Sequence, residues 1–241
     1  MIDISHDAFV AIFARGGSKG LPGKNLKKIN GLPLIGWSIK CAFEVDADLR
    51  VLVSTDSEEI AATASEFGAE VPFLRPASLA HDTSSEWSCW RHLCQFLLDS
   101  EGYLPKIMIS LPATAPLRKP SDVQGCLEQF LRNDCDAVLT ATKAIRHPQF
   151  NILRYDSDGC VTIYDPTAGR TSFRQQVAPV YDATTVCYVV STEFILSKAG
   201  HLFDGNVSLY EVPAERAVDI DSEFDFRVCD FLLSEQKSKN V

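Results

Sequence analysis

Residues Ala14 to Asn25, Ala-Arg-Gly-Gly-Ser-Lys-Gly-Leu-Pro-Gly-Lys-Asn, place four glycines and three cations directly after an apolar run, Phe9 to Phe13. Glycine lets backbone N–H groups close on an anion and accepts positive φ, while Arg15, Lys19 and Lys24 supply charge that a purely structural turn does not need. The chemistry such a loop suits is the holding of a phosphate chain; a glycine turn with incidental surface cations is the plainer alternative. Two familiar phosphate loops are excluded by spacing. The interval from Gly17 to Gly23 is one residue too long for a Walker A loop, and Asn25 stands where Ser or Thr would hold magnesium. Gly16, Gly17 and Gly20 do not reproduce Gly-x-Gly-x-x-Gly, and Pro22 opposes direct entry into a helix.

A second group is Asp219-Ile220-Asp221. In an extended segment the two carboxylates share one face with Cα atoms roughly 6.5 to 7 Å apart, close enough to clamp one hard cation. Magnesium, which takes one or two carboxylates plus waters and substrate phosphates, suits such a pair better than calcium does. Taken alone, the pair reads equally well as acids ahead of a helix starting near Ser222. Arg174-Gln175-Gln176, followed by Pro179 and Tyr181, could read carboxylate or phosphate oxygens, though by composition it is an ordinary polar loop. His81 and His147 are the nearest candidates for a general base, and a lone loop histidine is more often structural.

The elements that must position these groups follow from periodicity. Apolar runs rich in Val and Ile alternate with segments of helical period, the mark of an α/β domain with a mainly parallel sheet. The spacing predicts strands at Ala8 to Ala14, Arg50 to Ser54, Val71 to Leu74, Lys106 to Leu111 and Ala137 to Ala141, and helices at Pro33 to Phe43, Ser57 to Phe67, Ser84 to Leu98 and Ser121 to Asn133. Asp56 with Glu59 and Ser121 with Gln124 have capping-box spacing, and Gly68 stands where a C′ glycine belongs. Trp87, Trp90, Cys94 and Leu97 form one stripe of the third helix, read as core rather than as an aromatic binding box. From about 142 to 181 the alternation gives way to an insert, a hairpin of Asn151 to Tyr155 and Cys160 to Tyr164 around a turn at Asp158-Gly159. A strand at Thr185 to Val190, a short helix from Thr192, a strand at Ser208 to Val212 and a last helix from Ser222 complete the chain.

A formal charge of −9, with the cations gathered in short loops, argues against nucleic acid or an anionic membrane surface as partner and points to a small anionic metabolite. No apolar stretch approaches the roughly 20 residues of a membrane span. Asp3, His6 and Asp7 break any leader-like start, so cytoplasm is the expected compartment. The eight cysteines contain no Cys-x-x-Cys pair and read as reduced structural thiols.

Taken together, the glycine loop, Leu74-Arg75-Pro76 with Asp82-Thr83, Pro116-Leu117-Arg118, Arg174-Gln175-Gln176 and Asp219-Ile220-Asp221 closely resemble the acylneuraminate cytidylyltransferases, which make CMP-sialic acids. The match runs nearly end to end. The resemblance implies a Rossmann-like nucleotidyltransferase domain with a small β-rich dimerisation insert, and a reaction that joins CTP to a 2-keto-3-deoxy acid sugar with release of pyrophosphate. It implies that Arg15 and Lys24 bind the triphosphate and stabilise the departing charge. Ala14, Gly16, Gly17, Ser18, Asn25, Arg75 and Ser84 would line the nucleotide site. Asp219 and Asp221 would hold Mg²⁺, and Arg174, Gln175 and Tyr181 would meet the acceptor, in a protein expected to form a homodimer. A sugar-1-phosphate nucleotidyltransferase and a non-catalytic nucleotide-binding protein of the same fold are the rival readings.

Three departures lie on the acceptor side. Pro112 stands where sialate-specific members carry Gln before the Pro-Leu-Arg segment, Thr184-Thr185 replaces Asn-Gly ahead of the Val186-Cys187-Tyr188 strand, and Gln149 follows His147-Pro148 where the family has Lys. Losing one hydrogen-bond donor from a polar sugar site is worth about 1 to 3 kcal/mol, enough to change preference among related acids. The acceptor is therefore expected to be a nonulosonic or related ulosonic acid, not necessarily N-acetylneuraminate.

Overall fold

The computed structural model describes residues 4–81, 83–166 and 177–239. In chain order the elements are α1 (Ile4–Asp7), β1 (Ala8–Phe13), β2 (Lys28–Ile29), β3 (Leu32–Pro33), α2 (Leu34–Val45), β4 (Arg50–Ser54), α3 (Glu58–Glu66), α4 (Glu86–Glu101), β5 (Ile107–Ser110), α5 (Pro120–Arg132), β6 (Ala137–Lys143), β7 (Leu153–Tyr155), β8 (Val161–Ile163), β9 (Tyr181–Ser191), α6 (Thr192–Leu196), β10 (Val207–Glu211) and α7 (Glu223–Lys239). Six strands form one sheet in the order β10-β6-β9-β5-β1-β4. β1 runs parallel to β4 and β5, and β10 parallel to β6, while β9 lies antiparallel between β5 and β6. The mainly parallel α/β sheet expected from periodicity is thus present, with one reversed strand.

Strands covered on both faces should be apolar at every position, and β1 is buried from Ala8 to Ile12. Val10 and Ile12 join Val51, Ile39, Ala64 and Val123 on the face covered by α2, α3 and α5. Phe9 and Ala11 face Trp90, Leu93 and Leu97 of α4. The stripe of Trp87, Trp90, Cys94 and Leu97 is buried as expected. A third, smaller cluster joins Leu21, Leu34, Leu117, Ile220 and Phe226, and so packs the glycine loop and α7 against one another.

Some local expectations are corrected. Val71 to Leu74 makes only isolated bridges, Leu52 with Glu70 and Thr55 with Leu74, because Pro72 removes a ladder donor beside the edge strand. α3 is capped by Ser57, whose hydroxyl accepts from the Ile60 N–H at 3.3 Å, while Asp56 accepts from the Gly16 N–H at 2.9 Å. α5 begins at Pro120, one residue earlier than expected, with the Asp122 carboxylate accepting from the Lys119 N–H at 3.0 Å. All eight cysteines are free thiols. Among the described residues no helix is long and apolar enough to cross a membrane.

The insert leaves the sheet where Lys143 of β6 pairs with Tyr181 of β9. β7 and β8 form the expected hairpin, and Gly159 takes the positive φ of 77° that its turn requires. Arg174, Gln175, Gln176 and Asp82 lie outside the described residues.

One buried cation ties the middle of this fold together. Arg118, 7% exposed, donates to the Ser38 hydroxyl at 2.9 Å, to the carbonyls of Pro112 at 2.7 Å and Thr185 at 3.1 Å, and to that of Val186. It thereby joins α2, the segment after β5, and β9. An ammonium cannot reproduce the planar fork, so Arg118→Lys leaves buried carbonyls unpaired at a cost of about 3 kcal/mol. For a chain of this size that lowers the melting temperature by about 6 to 12 °C, measurable by calorimetry.

Candidate active site

The loop after β1 does not enter an α-helix. It closes on a single 3₁₀ turn, Lys24–Leu26, as the proline within it suggested. Its start is fixed to β4, where the Ala14 N–H donates to the Ser54 carbonyl at 3.1 Å and Gly16 is held by Asp56. Its end is fixed by Asn25, buried, whose side-chain amide donates to the Arg15 carbonyl at 2.9 Å. The loop is a preformed rim held at both ends by hydrogen bonds to its backbone.

The same loop touches the distant acidic segment. A Cβ on Gly20 would lie 2.2 Å from the backbone oxygen of Asp221, so no other residue fits there without displacing one strand of chain from the other. Lys24 Nζ donates to the Ile220 carbonyl at 2.8 Å and pairs with the Asp221 carboxylate at 2.9 Å, across 197 residues of sequence. Ile220 is fully buried, so its extended neighbours Asp219 and Asp221 both turn outward. Neither carboxylate caps α7. Asp225 accepts from the Ser222 N–H at 2.8 Å, from the Ser222 hydroxyl at 2.6 Å and from the Asp221 N–H at 3.2 Å. The helix-cap reading of the two aspartates is therefore set aside, and their oxygens are left for the cleft.

Asp219 is held from two sides. The Thr185 hydroxyl donates to it at 3.0 Å, and the Thr114 backbone oxygen accepts from the Ile220 N–H at 2.9 Å. Burial pushes the Asp219 carboxyl above the usual carboxylate range; the hydrogen bonds from Thr114 and Thr185 and the charge of Lys24 oppose this, and nearby Asp221 reinforces it. A partly desolvated carboxylate beside a second carboxylate is an arrangement that a bound cation relieves. Among the described residues no group of three or more metal-binding side chains exists, so a cation here would rely on the two aspartates and on substrate oxygens.

These parts surround a cleft of about 410 Å³, bordered by Arg15, Ser18, Lys19, Lys24, Asn25 and Asp221 on the loop side and by Arg75, His81, Ser84 and Glu86 elsewhere. Arg75 is 7% exposed and its guanidinium is spent partly on Ser54, donating to the hydroxyl at 3.0 Å and to the carbonyl. Those bonds fix the guanidinium as a wall of the cleft before any ligand arrives, while burial draws its pKa down. Gly17 borders a shallow extension of the cleft between Arg15 and His81.

Of the described site residues expected from sequence, Arg15, Ser18, Lys24, Asn25, Arg75, Ser84 and Asp221 line the cleft, and Asp219 adjoins it through Thr185. Ala14 is buried, Gly16 is turned to Asp56, Gly17 borders only the shallow extension, and Tyr181 sits at the start of β9 opposite Lys143, away from the cleft lining. His147 lies in the insert with Phe150 and Asn151. Pro112 does border the cleft, and its carbonyl is taken by Arg118 and Ser38.

Three further residues line the site: Thr114 and Glu86, which sequence reasoning gave no role, and Thr185, which it marked only as a departure from the family. Thr185 reaches it because the ladder between β6 and β9 is irregular between Leu139 and Ala141, with the Thr140 hydroxyl taking up the Cys187 N–H at 2.9 Å. The substitution Thr184-Thr185 was visible in the sequence, but the irregularity that aims it was not. Glu86 borders the cleft and is an exposed residue overall. Desolvation by the protein packed near its carboxyl raises the carboxyl pKa, the Trp90 indole and Arg75 opposing the rise and Asp219 adding to it.

A family model described as cytidylyltransferase matches residues 9–231. The chain is 38% identical over 228 residues to the post-translational flagellin modification protein B of Campylobacter coli, covering 93% of this chain and 94% of that one. It is 36% identical over 226 residues to the CMP-N,N'-diacetyllegionaminic acid synthase of Campylobacter jejuni subsp. jejuni serotype O:2, covering 92% and 93%. Its fold is similar to that of CMP:2-keto-3-deoxy-manno-octonic acid synthetase complexed with CTP, with a TM-score of 0.71, 19% identity, and coverage of 95% of this chain and 99% of that one.

The close approach of Gly20 to Asp221 gives a direct test of how the two halves are joined. Gly20→Ala drives the loop from the Asp221 backbone and so misplaces Lys24 and the aspartates, while the sheet and its core are untouched. Expected is a melting temperature within a few degrees of wild type and nucleotide affinity, measured by calorimetric titration with CTP, weakened about tenfold or more, the equivalent of about 1.4 kcal/mol.

Proposed function

The chain belongs to the cytidylyltransferase family, and on that premise we propose that it transfers CMP from CTP to the anomeric hydroxyl of a nonulosonic (sialic-acid-like) or related ulosonic acid, releasing pyrophosphate. The observation that supports the reading is the meeting of the glycine loop with the Ile220–Asp221 segment through Gly20 and Lys24, which brings the loop's cations and the Asp221 carboxylate to one cleft.

In the proposed reaction the acceptor's anomeric oxygen forms a bond to the α-phosphorus as the bond from that phosphorus to the β-phosphate oxygen breaks. The hydroxyl proton leaves to solvent and the electron pair of the broken bond departs with pyrophosphate. Arg15, Lys19 and Lys24 neutralise the charge that accumulates on the leaving phosphates, and loop N–H groups position the chain in line. Asp219 and Asp221 are the residues that would hold Mg²⁺, which when bound would neutralise charge on the transferring phosphates. Thr185 and Thr114 keep the Asp219 carboxylate turned to the cleft. Arg174 and Gln175, carried over from the family resemblance, are the proposed contacts of the insert with the acceptor or phosphates.

A homodimer is part of the same proposal. The two-stranded β7–β8 hairpin exposes Leu153, Tyr155 and Val161, with Ile145 and Tyr164 beside it, and a hairpin with that much bare apolar surface is marginal without a covering partner. The compartment proposed is the cytoplasm, in keeping with eight free thiols.

Incubation with each of the four NTPs, Mg²⁺ and a panel of ulosonic acids and sugar phosphates, with pyrophosphate and CMP-sugar both measured, tests the reaction. Turnover is expected with CTP and an ulosonic acid; turnover only with a sugar phosphate, or CTP binding without any product, defeats the proposal. Asp219→Asn is expected to require at least about tenfold more Mg²⁺ for half-maximal rate, by analogy with lesser perturbations of metal sites. Light scattering is expected to give twice the 26.6 kDa chain mass, falling to the monomer in the double variant Leu153→Asp, Tyr155→Asp.

A further inference from the structure

One carboxylate at the cleft has no part in the reaction set out above. Glu86, the first residue of α4, borders the nucleotide cleft and also a second recess of about 240 Å³ with Trp87, Trp90, Tyr188 and Phe203 on its walls. Among the described residues it is the only one common to both linings. Tyr188 lies on the wall of the same recess, and Glu86 sits where the two cavities adjoin.

The direction of the chemistry decides what reaches this junction. The leaving pyrophosphate belongs with the cations of the glycine loop, and in-line displacement requires the acceptor to enter from the other side of the α-phosphorus. No residue of the glycine loop or of the Asp219–Asp221 segment lines the aromatic recess, whereas Glu86 connects that recess to the cleft. A carboxylate accepts hydrogen bonds and donates none, and it repels the acid group of an ulosonate. It therefore suits the part of the sugar that carries hydroxyl or amide N–H groups, with the acid group turned toward the cations.

We propose that Glu86 is a specificity-determining residue whose carboxylate accepts hydrogen bonds from hydroxyl or amide N–H groups of the acceptor sugar acid. This rests on the cytidylyl-transfer reading. Carboxylate-to-donor bonds of this kind are charge-assisted, and a sugar lacking the donor would displace water from the carboxylate without replacing its hydrogen bonds, so the residue discriminates as well as binds.

Steady-state kinetics of wild type, Glu86→Gln and Glu86→Ala test it, with CTP, 2'-deoxy-CTP, N,N'-diacetyllegionaminic acid and 2-keto-3-deoxy-manno-octonic acid as substrates. Expected for Glu86→Gln is at least a tenfold loss in kcat/KM for the preferred acid, carried by KM, with a change of at least fivefold in the ratio between the two acids. The KM for CTP should stay within twofold and the melting temperature within 2 °C of wild type, with Glu86→Ala showing the larger loss. Unchanged acceptor KM and acid preference in both folded variants overturns the proposal and leaves the reaction standing. A rise in the KM for CTP with loss of discrimination against 2'-deoxy-CTP also overturns it, by assigning Glu86 to the ribose. Absence of turnover by wild type with every acid removes the cytidylyl-transfer reading and this proposal with it.

Discussion

The burial of Ile220 is the constraint on which the site depends. Its side chain is enclosed with Leu21, Leu34, Leu117 and Phe226, its N–H is taken by Thr114 and its carbonyl by Lys24. Removing an isoleucine side chain from water contributes about 1.5 to 3 kcal/mol, and here that energy also sets an orientation. With position 220 locked inward, the extended backbone has no choice but to turn 219 and 221 outward. A polar residue between the aspartates would lose the anchor and with it the shared direction of the two carboxylates.

Around that anchor the protein gathers charge that its composition does not advertise. The chain carries a net charge of −9, yet Arg15, Lys19, Lys24 and Arg75 meet at one opening. Two of the fold's arginines are used structurally instead. Arg118 is enclosed by hydroxyl and carbonyl acceptors, with no carboxylate among its hydrogen-bond partners in the described residues, and Arg216 grips the buried Asp122 at 2.7 Å, securing the start of α5. In an interior, such cations hold position only because each N–H finds a fixed oxygen, and the walls they join cannot shift independently.

Where local rules and burial agreed, sequence was enough. β4 spans Arg50–Ser54 as its apolar run requires, α2 and α3 differ from expectation by a residue or two at their ends, and residues of the glycine loop, Arg75, Ser84 and Asp221 border one cleft, with Asp219 beside it through Thr185. The failures come from competition between partners. Asp56 has the spacing of a helix cap, but a loop N–H 40 residues away holds it, leaving the cap to Ser57. Tyr181 extends a strand whose reach depends on its pairing with Lys143, a fact of register rather than of local pattern. Thr185 needed the ladder irregularity to be seen, and Glu86 looked like an ordinary first-turn acid of α4, favourable there for reasons unrelated to a ligand. The aromatic stripe shows both readings at once: Trp87 and Trp90 are core residues whose outer edges also border a recess.

The contact between Gly20 and Asp221 has a consequence for how the protein comes into being. The ribosome delivers the glycine loop well before its partner, and β1, β4 and the helices between them can begin packing as they emerge. The partner of that loop, Asp221, follows about 200 residues later. Nucleotide recognition is thus withheld from the nascent chain: until residue 221 has left the exit tunnel, the loop has a rim but no opposite jaw. A chain interrupted before residue 221 would have the loop without the acidic segment that packs against it.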